Sequence, residues 1–184
     1  RMLPNMHVVC PGDTIEVELA VRAAYEHKKP TYIRLGKKGE PRVHEVIPDF
    51  QIGRGIVLQE GEDIALLAVG NMLPVARDVV RQLEFEGFSV CLVSLHTVKP
   101  LDDMLLTRLF DRCRRISIVE EHGRAGGAGS AVLEWACNHR MDATKVLCFG
   151  AGDEFLTACG NQQQARTLLG LEAETITSTI KNDL

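Results

Sequence analysis

The chain has 184 residues, 45% of them apolar and 25% charged, with a formal net charge of −4. Those values describe a globular chain holding one complete domain, or one domain and a piece of another. They exclude a nucleic-acid footprint, since no basic run is longer than Lys37-Lys38 or Arg114-Arg115, and the longest apolar run, Ile64 to Val69, is far too short to cross a bilayer.

Six cysteines, Cys10, Cys91, Cys113, Cys137, Cys148 and Cys159, are widely spaced, with no C-x-x-C pair and no histidine at zinc-ligand spacing. Several lie in apolar runs, where a free cysteine acts as a small hydrophobe, so a reducing, cytoplasmic setting is expected. From its opening residues no signal peptide is expected. It starts at Arg1-Met2-Leu3-Pro4, already close to a strand, and reads as a fragment of a longer protein.

The pattern predicts a strand at His7 to Cys10, then a helix through about His27 with Asp13 as its cap and Glu16 reaching back in a capping box. Pro30 ends that helix, and Thr31 to Leu35 is a second strand, closing a β-α-β unit with parallel strands. Such a unit cannot cover both faces of its own sheet, so residues 1–37 are expected to be the end of another α/β domain. Residues 38–52 lose periodicity and carry Gly39, Pro41 and Pro48 among charges, as a linker would.

From Gly53 onward strands and helices alternate. Strands are predicted at Gln51 to Leu58, Asp63 to Val69, Phe88 to Val93, Ile116 to Val119 and Val146 to Phe149. Between them lie a helix with Ala76, Val79, Val80 and Leu83 on one face, a loop at Thr97 to Pro100, and a helix capped by Asp102. Two helices, near Gln163 to Leu169 and Glu172 to Ile180, finish the chain. This alternation predicts a three-layer α/β/α domain with a mostly parallel sheet over residues 53–184.

The stretch after Val119 is the richest chemically. Glu120, Glu121 and His122 end a strand, and Gly123, Gly126, Gly127 and Gly129 lead into a helix. It is not a dinucleotide site, because Gly127-Ala128-Gly129-Ser130-Ala131-Val132 has valine where the third glycine of G-x-G-x-x-G belongs, and no P-loop motif occurs. Close strand–helix packing is the expected use of these glycines. A glycine loop that senses an anion, or a purely structural dimerisation module, remain as non-enzymatic alternatives.

Leu3 to Asp13, Pro30 to Lys37, Val98-Lys99-Pro100-Leu101-Asp102 and Val119-Glu120-Glu121-His122 through Gly126 to Val132 together resemble the carboxyl-terminal part of the transketolase family. These are thiamine-diphosphate enzymes that include transketolase and 1-deoxyxylulose-5-phosphate synthase; the 2-oxo acid dehydrogenase beta subunit has a similar carboxyl-terminal domain. The resemblance makes residues 1–37 the end of a pyrimidine-binding domain. It implies two-carbon ketol transfer between sugar phosphates, thiamine diphosphate and magnesium as cofactors of the complete enzyme, and a homodimer or a partner amino-terminal subunit. The cofactor's glutamate, stacking aromatic and G-D-G metal motif lie upstream in such proteins, so this chain alone is expected to be inactive and to bind no cofactor. Relatives place an arginine on the substrate phosphate where this sequence has Lys37, three residues after Arg34; both are candidate phosphate contacts. Glu121, His122, Gly126, Gly127, Gly129 and Ser130 are candidates for a glycine-loop and interface role. One departure, Gly150-Ala151-Gly152-Asp153 in place of a proline before the aspartate, concerns a loop.

Overall fold

The computed structural model describes residues 1–37 and 39–184. Its strands are β1 (His7–Val9), β2 (Thr31–Ile33), β3 (Ile56–Gln59), β4 (Ile64–Ala68), β5 (Val90–Ser94), β6 (Thr97–Lys99), β7 (Arg115–Gly123) and β8 (Val146–Ala151). Its helices are α1 (Thr14–His27), α2 (Leu73–Phe85), α3 (Asp103–Arg112), α4 (Ala128–Asn138), α5 (Gln162–Leu168) and α6 (Ala173–Asn182). None is long and apolar enough to cross a membrane among the described residues.

Five strands form the main sheet in the order β3-β5-β4-β7-β8, all parallel except β3, which runs antiparallel to β5. Every residue of β4 is buried, as a central strand covered on both faces must be. The period of two sends Ala65 and Leu67 to one face, with Leu106, Phe110, Val132 and Trp135 of α3 and α4. It sends Ile64, Leu66 and Ala68 to the other, with Val79, Leu83, Ile176 and Ile180 of α2 and α6. The three layers expected from the alternation are these.

Two expectations need correction. Thr97 to Lys99 is not a loop but a short strand, β6, paired antiparallel with β1; Pro100 follows it because a residue with no N–H can end a ladder but not extend it. β7 does not stop at Val119 but runs through Glu120, Glu121 and His122 to Gly123, with its register to β8 shifting between Val119 and Gly123.

β6 makes β1 the middle of a second sheet, β2-β1-β6, with β2 parallel to β1. The amino-terminal β-α-β unit is therefore docked on the larger domain by a backbone ladder, extended by Cys10 N donating to His96 O at 2.6 Å. Carboxylates add a clip. Asp13 Oδ1 accepts from Glu16 N, and its Oδ2 accepts from Val43 N and His44 N, all at 2.9 Å. Glu16 reaches back one residue beyond the expected capping box: its Oε2 accepts from Gly12 N, while Oε1 meets His44 Nε2 at 2.7 Å. Val43 and His44, within the aperiodic stretch, are buried in consequence.

Candidate functional site

The carboxyl end of β7 carries the site. Successive strand residues point to opposite faces, so Glu120 and Glu121 look into separate clefts. Glu120, 2% exposed, turns toward α4, where its Oε2 accepts from Ala128 N at 2.7 Å and its Oε1 from Gly129 N at 2.8 Å. Burial pushes its carboxyl above the usual range, and the two backbone donors pull against that rise. The helix N-terminus, with its unpaired N–H groups and positive dipole end, already holds an anion, and that anion is the chain's own side chain.

The glycines follow from this contact. A Cβ on Gly127 would run into the Glu120 carboxylate, and one on Gly129 would lie 2.6 Å from Cys148 Sγ. Gly126 adopts φ +74°, which a side chain would strain. Ser130 closes the loop, its Oγ accepting from Gly126 N at 3.0 Å and donating to Arg124 O at 2.6 Å. The alternative in which the glycine loop senses an external anion is corrected by this geometry, since its donors are taken internally.

Glu121 faces the other way, into a cleft of about 270 Å³ between the β-α-β unit and the main domain. Its carboxylate accepts from Arg166 Nε at 2.7 Å, from Gln162 Nε2 at 3.1 and 3.2 Å, and from Asn71 Nδ2. Arg166 Nη2 also donates to Asn71 O at 3.1 Å. Arg34 and Lys37 line the same cleft, and Arg34 Nη2 is steadied by Glu121 O at 2.9 Å. A smaller cleft of about 140 Å³ on the Glu120 side includes Arg34, Tyr32, Glu120, exposed His122 and Gly127.

Of the sequence candidates, the structure brings Arg34, Lys37 and Glu121 together and puts His122, Gly126 and Gly127 with Arg34 in the second cleft. Gly129 and Ser130 serve the α4 turn instead. Asn71, Gln162 and Arg166 were not anticipated; the i, i+4 spacing of Gln162 and Arg166 on one helix face was the only trace in the sequence. Among the described residues no group of three or more His, Cys, Asp or Glu converges as metal ligands. Among the described residues the α4 N-terminus, filled by Glu120, offers no open backbone donors to a diphosphate.

Residues 53–176 match the family model described as the transketolase C-terminal domain. The chain belongs to that family. Among its relatives, the 1-deoxy-D-xylulose-5-phosphate synthase 1 of Geobacter metallireducens is 36% identical over 183 residues, which are 98% of this chain and 29% of the synthase. A Methanocaldococcus jannaschii protein whose name describes it as a transketolase C-terminal section is 31% identical over 189 residues, covering 100% of this chain and 57% of that protein. In structure, the chain is similar to a split-gene transketolase solved as an inactive beta4 tetramer, with a TM-score of 0.92 at 34% identity, over 100% of this chain and 59% of the other. That likeness takes in the amino-terminal β-α-β unit as well as the transketolase carboxyl-terminal domain. The chain spans less than two thirds of the length of each of these proteins. It is a transketolase-like carboxyl-terminal part, of the family and fold class expected from the sequence.

Proposed function

We propose that this chain serves a thiamine-diphosphate enzyme that moves two-carbon ketol units between sugar phosphates, providing subunit contacts and one edge of the substrate channel. In this reading residues 1–37 end a pyrimidine-binding domain, 38–52 are a linker, and 53–184 are the carboxyl-terminal domain. The observation that carries it is the meeting of Arg34 and Lys37 in one cleft at the junction of the two units. Two cations side by side, one a planar fork and one a point charge, suit the phosphate end of a sugar phosphate. Thiamine diphosphate and magnesium would be anchored by parts of the complete enzyme other than these residues, and supply the carbanion chemistry there.

A partner carrying those parts, or a second copy of the complete protein, is the expected assembly, in a cytoplasmic setting. A second reading, 1-deoxyxylulose-5-phosphate synthesis, is favoured by the 36% identical relative of that name. Kinetics of the complete enzyme decide between them: turnover of a ketose phosphate with an aldose phosphate supports ketol transfer, and formation of 1-deoxyxylulose 5-phosphate supports the synthase reading. In either case Lys37→Ala should raise KM for a phosphorylated substrate by roughly tenfold to a hundredfold, the equivalent of losing one charge-assisted contact of about 1.5–3 kcal/mol. A non-phosphorylated analogue should be nearly unaffected. Equal effects on both substrates would count against the phosphate role.

A further inference from the structure

The cleft proposed for phosphate has a carboxylate in its wall, and a free carboxylate there would repel the ligand. Glu121 lines the cleft alongside Lys37. Behind it Arg166, with a side chain 11% exposed, presses Nε onto Glu121 Oε1 at 2.7 Å while Nη2 donates to Asn71 O. The other groups on that carboxylate, Asn71 and Gln162, are neutral amides and cannot offset its charge. At the edge of a cleft the effective dielectric is far below that of water, so one uncompensated charge a few ångströms from a bound anion changes its affinity severalfold or more.

We infer that Arg166, which stands outside the cleft, sets the cleft's affinity for a phosphate group by cancelling the charge of Glu121. The inference rests on the phosphate reading of Arg34 and Lys37 and adds a tuning residue to it. Arg166 is a positioning residue in this scheme: it acts through Glu121 and touches no ligand.

Calorimetric titration of the full chain with inorganic phosphate at low ionic strength tests this through the order of affinities. Arg166→Gln leaves Glu121 bare and should weaken binding about tenfold, the size of one like-charge contact at a partly exposed site. Glu121→Gln keeps an acceptor for Arg166 but removes the negative charge, and should tighten binding by a similar factor. The double variant, neutral at both positions, should return to within about threefold of the native chain. Misfolding cannot produce the gain expected of Glu121→Gln. If that variant weakens binding as Arg166→Gln does, Glu121 and Arg166 only brace the wall and the tuning role is overturned. Phosphate binding that is absent, or indifferent to Lys37→Ala, would instead overturn the phosphate reading, and the tuning role with it.

Discussion

The two faces at the carboxyl end of β7 solve one problem differently. On one, Glu120 is sealed from water and held by two backbone N–H groups of α4; on the other, Glu121 is half-buried and held by an arginine and two amide side chains. A charge bound by backbone depends only on the path of the chain, so it is built into the fold. A charge bound by side chains depends on which residues two separate segments, α5 and the turn at Asn71, supply, so it can be retuned without altering the path. The first face is structural, and the second is where the proposed phosphate affinity can vary.

The strongest way to break this comparison is Glu120→Ala. It strips the α4 N-terminus of the carboxylate that fills it and leaves two buried N–H groups unpaired, at about 3 kcal/mol. For a chain of this length that is a Tm lower by about 6–12 °C in a thermal melt followed by circular dichroism. A drop of only a degree or two would mean that water replaces the carboxylate and that the two faces are alike.

Glu121→Ala should cost less, about 2 kcal/mol, because water reaches the freed amide of Gln162 while Arg166, though its side chain is only 11% exposed, keeps its hydrogen bond to Asn71 O. Amide hydrogen exchange sharpens the contrast: protection should fall in α5 and be kept in α4, with the reverse for Glu120→Ala. Loss of protection across both helices in either variant would erase the distinction.

A third carboxylate, Glu16, has a partner that itself titrates. Burial pulls the His44 imidazole down, but its hydrogen bond and charge contact with Glu16, together with Asp13, outweigh that and hold it above its ordinary value. His96 nearby is pushed down to about 4 by burial and stays neutral, so it does not compete. A pKa raised by folding makes the contribution complete below about pH 6.5 and lets it fade as pH climbs through the folded-state value. Denaturant midpoints should therefore decline modestly as pH rises above about 6.5 in the native chain, and less in His44→Gln. Equal slopes in both proteins would show that His44 donates to Glu16 without charging.

Much of the main domain was legible because burial on both sheet faces writes itself as period: β4 as an unbroken apolar run, α2 as Ala76, Val79, Val80 and Leu83. Asp102 and Asp13 were legible as caps because a cap is a local event. Tertiary events were not. β6 looks like loop because three residues before a proline carry no period, and only the presence of β1 opposite makes them a strand. Val43 and His44 are clipped by an aspartate 30 residues away, and a two-residue clip leaves no pattern. In the candidate site, Arg34 and Lys37 were found through the family resemblance, whereas Asn71 and Arg166 come from segments that meet only after folding.

The β1–β6 ladder bears on how far chain connectivity matters. β1 has one neighbour from its own unit and one from the main domain, in the pairs Val8 with Lys99 and Val9 with Thr97. The amino-terminal unit is therefore held twice, once covalently through the residues after Arg34 and once by strand pairing, while the Asp13 and Glu16 clip folds Val43 and His44 back onto that unit. A peptide bond cut between Glu45 and Gly53 would sever the first link and leave the second whole. The molecule is thereby arranged for complementation: two separately made pieces would carry matching halves of one ladder.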